Sequence, residues 1–273
     1  MNPKGEILMK YGFIGLGNMA GAILRGMHRS GNFARDTLLG YNRSEAKTEA
    51  LRAEIGLEPC RSAREVAERA DVLVLAVKPQ MLPDVLPQIQ DVVTPQTLVI
   101  SIAAGKPTTY YEAVFADGVP VVRVMPNINA KVGLSATAVC AGKHAEQEHL
   151  DLARKLFSAV GTVYTLKEEQ FAAFMAIAGA SGAFVHLYID ALASAGVKAG
   201  LARPFAEELA CQTVLGSAML THQSDRHPIA LMDEVCSPGG TTIEGVHTLK
   251  RLGFETAVQQ AVQAVIEKDK ALG

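Results

Sequence analysis

The chain has 273 residues, of which 49% are hydrophobic and 20% charged, and its formal net charge is -2. That length supports one large domain or two ordinary ones with a sizeable core, and the near-neutral balance gives no electrostatic reason to expect a nucleic-acid or polyanion binder. Four cysteines are too few for a disulfide scaffold, the apolar content is too high for disorder, and 5% aromatics without Trp argues against a base-stacking reader. An intracellular, reducing setting is expected.

The opening stretch MNPKGEILMK lacks the apolar run of a secretory signal. Ordered patterning begins at Lys10 or Tyr11, which makes Met9 an alternative start and residues 1–8 a floppy extension. Short apolar runs then alternate with helical stretches, the pattern of a parallel sheet with crossover helices. Strands are expected at Tyr11–Ile14, Thr37–Tyr41, Val72–Val77, Thr97–Ile100 and Val121–Val124, with Ala136–Ala141 and a run near Thr162–Tyr164 extending the sheet. Val72–Val77 reads VLVLAV without polar alternation, as a strand covered on both faces should.

After Leu166 the strand-like runs stop and the pattern is helical throughout. This switch divides the chain into an α/β domain, 1–165, and an all-helical domain, 166–273. Gln170–Ile189 holds no Asp, Glu, Lys or Arg and is long enough to cross a bilayer. Its Gly179, Ser181, Gly182, His186 and many alanines point instead to a buried or intersubunit helix. Pro204 suits the first turn of a helix running to about Leu220. The last helix opens near Phe254, with Val258, Ala261, Val262, Val265 and Ile266 on one stripe.

Two glycine turns carry the chemical signal. Gly15-Leu16-Gly17-Asn18-Met19-Ala20 is G-x-G-x-x-A between a strand and a helix, the setting of a dinucleotide-binding turn. Gly15 permits the turn, Gly17 lets backbone approach a pyrophosphate at the helix start, and Ala20 allows close helix packing. The second strand ends Tyr41-Asn42-Arg43-Ser44, without the carboxylate that holds an NAD ribose. Arg43 can pair with a 2′-phosphate while Asn42 and Ser44 donate hydrogen bonds, so NADPH is expected over NADH, with NADH still usable. Ser44 alternatively caps the next helix. Far along the chain, Ser237-Pro238-Gly239-Gly240-Thr241-Thr242 enters another helix. Its neutral N–H and hydroxyl donors suit one carboxylate better than a polyphosphate.

The segments GFIGLGNMA (12–20), AVKPQ (76–80), SIAAG (101–105), RVMPN (123–127), DALASAGVKAGL (190–201) and HPIALMDEVCSPGGTTIEG (227–245) together resemble the pyrroline-5-carboxylate reductase family, in the family's order over nearly the whole chain. The resemblance implies reduction of 1-pyrroline-5-carboxylate to L-proline by NAD(P)H, in a cytoplasmic enzyme. It also implies a Rossmann-type doubly wound sheet followed by a helical substrate-binding and dimerisation domain, a homodimer that can assemble further into a ring, and no nucleic-acid or membrane partner. Ile14, Gly15, Leu16, Gly17, Asn18 and Met19 match the pyrophosphate segment. Ala76, Val77, Lys78 and Pro79, with Ile102, Ala103 and Ala104, match segments along the ribose and nicotinamide. Ser237, Gly239, Gly240, Thr241 and Thr242 match the substrate-carboxylate loop, with Asn127 near the substrate. Thr242 is the expected catalytic residue, its hydroxyl on the ring nitrogen.

Two segments depart from the family's pattern: MPNTPA reads MPNINA at 125–130, and GSGPAY reads GASGAF at 179–184. These departures leave a larger ring of the piperideine-carboxylate type, or a catalytically silent nucleotide-binding paralogue, as rival readings. Close metal-ligand spacings are missing, so no metal is expected. Cys60, Cys140, Cys211 and Cys236 read as small buried residues, Cys236 being the candidate for exposure. Glu168–Glu169 and Glu207–Glu208 read as solvated helix starts favoured by the macrodipole, and His186 as a core or interface histidine.

Overall fold

The computed structural model describes residues 8–272. The expectation for residues 1–8 therefore lies, but for the exposed Leu8, outside the described residues. The first part of the chain alternates strand and helix: β1 (Lys10–Ile14), α1 (Asn18–Ser30), β2 (Thr37–Tyr41), α2 (Glu45–Ile55), β3 (Glu58–Pro59), α3 (Ala63–Arg69), β4 (Val72–Leu75), α4 (Leu82–Val85), β5 (Leu98–Ser101), α5 (Thr108–Glu112) and β6 (Val121–Met125). Two strands and a helix complete it: β7 (Ser135–Ala141), α6 (Gln147–Ser158) and β8 (Gly161–Thr165). The eight strands form one sheet in the order β3-β2-β1-β4-β5-β6-β7-β8. All neighbours are parallel except β6 and β7.

The sheet is apolar on both faces because both are covered. Tyr11, Phe13, Val72, Val74, Leu98 and Ile100 pack with Ile23, Leu24 and Met27 of α1 and Leu156 and Phe157 of α6. The alternate residues Ile14, Leu73, Leu75 and Val99 pack on the other face with Val66 of α3, Leu82 of α4 and Tyr111 of α5. Consecutive β4 residues thus bury into opposite cores, each contributing about 1.5–3 kcal/mol, which is why VLVL shows no polar alternation. The strand ends at Leu75, earlier than the expected Val77: the Ile102 N–H bonds the Leu75 carbonyl at 3.1 Å and the chain then leaves the ladder. Two-residue β3, with a proline at the sheet edge, is too short to leave a pattern.

Beyond β8 lie α7 (Phe171–Phe174), a π-helical segment (Met175–Ala180), α8 (Ser181–Lys198), α9 (Arg203–Gln223), α10 (Pro228–Val235), α11 (Thr241–Arg251) and α12 (Phe254–Leu272). Pro204 sits in the first turn of α9, as its missing N–H allows. The chain divides into two compact units, residues up to Gly179 with those from Asp269, and Ala180–Lys268. This division falls later than the pattern change near 165, because Phe171 of α7 still packs with Met125, Ala138 and Cys140 of the sheet.

In the second unit α8 and α9 meet through Ala193, Ala206 and Ala210, all buried, and Gly196 lies opposite Ala206. Arg203 ties the pair together, bonding Asp190, Ser194 and Glu207. Much of the remaining apolar surface is open. Leu187 is 70% exposed and Leu252 71%, with Val185, Leu215 and Leu220 also exposed. The apolar run expected as a buried or intersubunit helix is uncovered in the single chain: Glu168–Lys198 is, among the described residues, the one helical run long and apolar enough to span a membrane, with mean hydropathy 1.6. A surface of this kind on packed helices marks an interface.

Candidate functional site

Five loops leave the carboxyl ends of β1, β2, β4, β5 and β6 at one edge of the sheet: Gly15–Met19, Asn42–Ser44, Ala76–Pro79, Ile102–Ala104 and Asn127. The strand order runs in opposite directions from β1 and β4, so this edge is the switch point at which doubly wound sheets open a ligand crevice. Gly15 has φ +93°, and a Cβ there would lie 2.8 Å from the Ala76 carbonyl oxygen, so neither the turn nor the β4 loop beside it tolerates a side chain. Gly17 caps α1 without any side-chain bond, the first turn holds no acidic residue, and a Cβ on Gly17 would meet nothing within 4 Å. Uncapped N–H groups thus face open space at the positive end of a helix, an arrangement that fits a pyrophosphate.

The expected residues contribute in different ways. Ile14, Leu16 and Ala103 turn their side chains into the core, which leaves only their backbone for a ligand. Gly17, Met19, Ala76, Val77, Pro79 and Ile102 are half-buried, while Asn18, Arg43, Ser44, Lys78 and Ala104 are exposed. Asn42 is occupied: its Oδ1 accepts from the Leu16 N–H at 3.0 Å and its Nδ2 donates to the Ser44 carbonyl at 3.1 Å. It therefore splints the glycine turn to β2, joined by a bond from the Gly15 N–H to the Tyr41 carbonyl. Ser44 stands at the cap of α2 but makes no cap bond, and Arg43 takes no ion pair among the described residues. Both remain available for a 2′-phosphate.

Asn127 is also committed. It is 7% exposed, its Nδ2 donates to the Ala178 carbonyl of the π-helical segment at 2.9 Å, and its Oδ1 accepts from the Asn129 N–H at 3.2 Å. Expected as a substrate contact, it acts in this chain as a tie between the end of β6 and the start of the long helical run.

The second glycine turn lies in the helical unit. Gly239 has φ +67°, and the Gly240 N–H closes the turn on the Ser237 carbonyl at 3.0 Å. Gly240 caps α11 without a side-chain bond, so the N–H groups of the first turn stay open, with Ser237, Thr241 and Thr242 exposed beside them. The entry is held from the α10 side: Arg226 pairs with Glu234 and donates to the Ala230 carbonyl, and His227 Nδ1 accepts from the Ile229 N–H at 3.2 Å. A carboxylate is the group such a turn accepts.

One buried polar cluster gave no sequence signal. Arg123 on β6 is 8% exposed, stacks 4.5 Å from the Phe171 ring and pairs with Glu168 at 3.1 Å. The same carboxylate accepts from the Thr108 N–H at 2.9 Å and the Thr108 hydroxyl at 3.0 Å, capping α5 from across the chain. Glu168 is thus a cross-link of three elements and not the solvated helix start expected for it. Burial pushes the neighbouring Cys140 thiol up to about 12, with the Glu168 charge adding to the rise. Cys60 is also buried and Cys236, the candidate for exposure, is half-buried, whereas Cys211, expected to be buried, is exposed. His186 is exposed and not a core residue. Glu207 pairs with Arg203. No cluster of three potential metal ligands occurs among the described residues.

Comparison with known proteins matches residues 10–105 to the family described as NADP oxidoreductase coenzyme F420-dependent, and residues 168–272 to pyrroline-5-carboxylate reductase dimerisation. A pyrroline-5-carboxylate reductase of Methanosarcina acetivorans is 39% identical over 97% of this chain and 98% of its own length. The chain belongs to the pyrroline-5-carboxylate reductase family. Within that family, a reductase structure from Coxiella burnetii shares 31% identity with a TM-score of 0.91, covering 98% of this chain and 99% of its own. A Plasmodium falciparum pyrroline carboxylate reductase solved with NADP bound shares 31% identity with a TM-score of 0.83, covering 97% and 98%. The dimerisation match spans the helices whose apolar faces are open in the single chain, which gives those faces their cover: oligomerisation runs through the helical region.

Proposed function

We infer that the protein reduces the cyclic imine 1-pyrroline-5-carboxylate to L-proline, the last step of proline synthesis, with NADPH preferred. The observation that carries this reading is the likeness to pyrroline-5-carboxylate reductases, unbroken over 97% of the chain, with both glycine turns intact within it.

NADPH, when bound, supplies the hydride. The open N-terminus of α1 at Gly17, Asn18 and Met19 holds the pyrophosphate, Arg43 and Ser44 take the 2′-phosphate, and Ala76–Pro79 with Ile102–Ala104 line the ribose and nicotinamide side. The Ser237–Gly240 turn and the Thr241 and Thr242 N–H groups hold the substrate carboxylate. The Thr242 hydroxyl hydrogen-bonds the ring nitrogen and orients the imine. A protonated imine is already strongly electrophilic, so the site needs positioning more than a strong base, and solvent supplies the proton. The uncovered helical faces support a homodimer, with further assembly into a ring; the cell compartment is the cytoplasm.

The test follows NADPH absorbance with 1-pyrroline-5-carboxylate and with its six-membered homologue. Turnover of the five-membered ring with the higher kcat/KM is expected. A preference for the larger ring would move the substrate assignment, and no turnover of either would overturn the reading.

A further inference from the structure

We propose that the protein carries a second anion site, adjoining the cofactor cradle at Asn18, in the groove between α1 and the short 3-10 turn Ile128–Val132, and that its ligand is a phosphate-type dianion. Asn18, Ala22, Arg25 and Arg29 recur at intervals of four, three and four residues, so they share one face of α1. Lys131 comes to the same groove from a different part of the chain, and the five residues line a cavity of about 240 Å³.

Three cations and an amide therefore converge from two elements. The groove's one bound anion is the Glu54 carboxylate, which meets the Arg25 guanidinium at 2.7 Å. Arg29 and Lys131 have no ion pair among the described residues. Arg29 acts on Glu54 through its charge without a direct ion pair, so the guanidinium of Arg29 and the ammonium of Lys131 keep their donors for a dianion. Attraction between Arg29 and the helix C-terminus accounts for Arg29 alone. It gives no reason for Lys131 to face the same cavity. Guanidinium and ammonium donors with a neutral amide are the usual partners of phosphoryl oxygens. The stripe spans about 16 Å along the helix, too short for a nucleic-acid track but ample for one phosphoryl group.

Phosphate also has an affinity for the pyrophosphate cradle at Gly17, so the test uses enzyme saturated with NADPH. Inorganic phosphate is titrated against chloride at constant ionic strength, by calorimetry and by thermal unfolding, on wild type and on Arg29→Gln/Lys131→Gln. Neither residue belongs to the cofactor or substrate machinery, so NADPH affinity serves as the folding control. Phosphate is expected to bind and raise Tm in the NADPH-saturated wild type, with its Kd weakened at least about tenfold in the double variant, as loss of charge-assisted bonds requires. Equal binding by the variant, disappearance of the effect once NADPH saturates, or the same Tm rise from chloride would each overturn the site. The readout is phosphate binding, so failure of the imine-reductase reading would leave this result standing.

Discussion

Glu168→Ala removes one carboxylate that serves three donors. Its bond to Arg123 is charge-assisted and its Thr108 bonds cap α5, contributions of about 1.5–3 and about 1 kcal/mol. The side chain of Glu168 is 32% exposed and that of Arg123 only 9%, so water would replace part of what Glu168 loses but little of what Arg123 loses. Arg123 already has a buried Nε without a partner, and the substitution would leave its charge stranded beside Phe171. A loss on the order of 2–4 kcal/mol follows, or a Tm lower by roughly 5–10 °C for a chain of this size. Arg123→Met should cost less, about 1–2 kcal/mol, because the half-open Glu168 rehydrates and Met keeps the contact with Phe171. The double variant should then be less destabilised than the sum, with a coupling of about 1–2 kcal/mol. The assay is denaturant unfolding of the four proteins at one fixed concentration. Additive losses, or a Glu168→Ala cost below about 0.5 kcal/mol, would show that the cluster is not the cross-link described.

Four further outcomes are expected. Arg43→Ala should raise KM for NADPH about ten- to a hundredfold, the loss of a charge-assisted phosphate contact, while KM for NADH stays level; an unchanged ratio would remove Arg43 from the 2′-phosphate site. Asn42→Ala loosens the glycine turn itself, so KM for both coenzymes should rise together by about tenfold, and selective loss of NADPH would mean that Asn42 instead contacts the extra phosphate. Thr242→Ala should lower kcat by about 10²-fold with NADPH affinity nearly unchanged, measured by turnover and by coenzyme titration. Cys140, whose thiol burial holds near 12 against an ordinary value of 9.0, should resist thiol reagents in native protein. Because its folded value is raised, its contribution to stability is complete below about pH 9 and falls as pH climbs toward 12, which unfolding measured across that range would reveal as lost slope in Cys140→Ala.

What could be read from the sequence was set by how local its cause is. The strands of the sheet were readable because Val72–Leu75 and its neighbours bury both faces, a property each residue carries by itself. The two glycine turns were readable for a similar reason: Gly15 and Gly239 need backbone conformations that leave a mark on residue type. Polar commitments were not readable. Asn42 and Asn127 look like ligand donors in a one-dimensional motif, and only the fold shows that Leu16, Ser44, Asn129 and Ala178 occupy them. Glu168 was misread for the same reason, since its partners lie 45 and 60 positions away. The π-helical segment beside Asn127 had no sequence signal at all.

The departures MPNINA and GASGAF can be weighed again on this footing. Asn127 is retained and directly precedes the changed residues of the first segment, and it bonds Ala178, which directly precedes the second segment. A hydrogen bond between the residues that border the two segments thus brings their edges together, although 51 positions separate its ends in the sequence. Neither set of changes falls within a glycine turn. That makes them weaker evidence for a new substrate than two independent losses of ligand contacts would be. The same geometry argues against a silent paralogue, because the open N-termini of α1 and α11 keep their donors unspent. Retaining glycine at two helix starts forgoes a few tenths of a kcal/mol each that a capping side chain would supply, and a chain with no anionic ligand to bind would gain nothing in return.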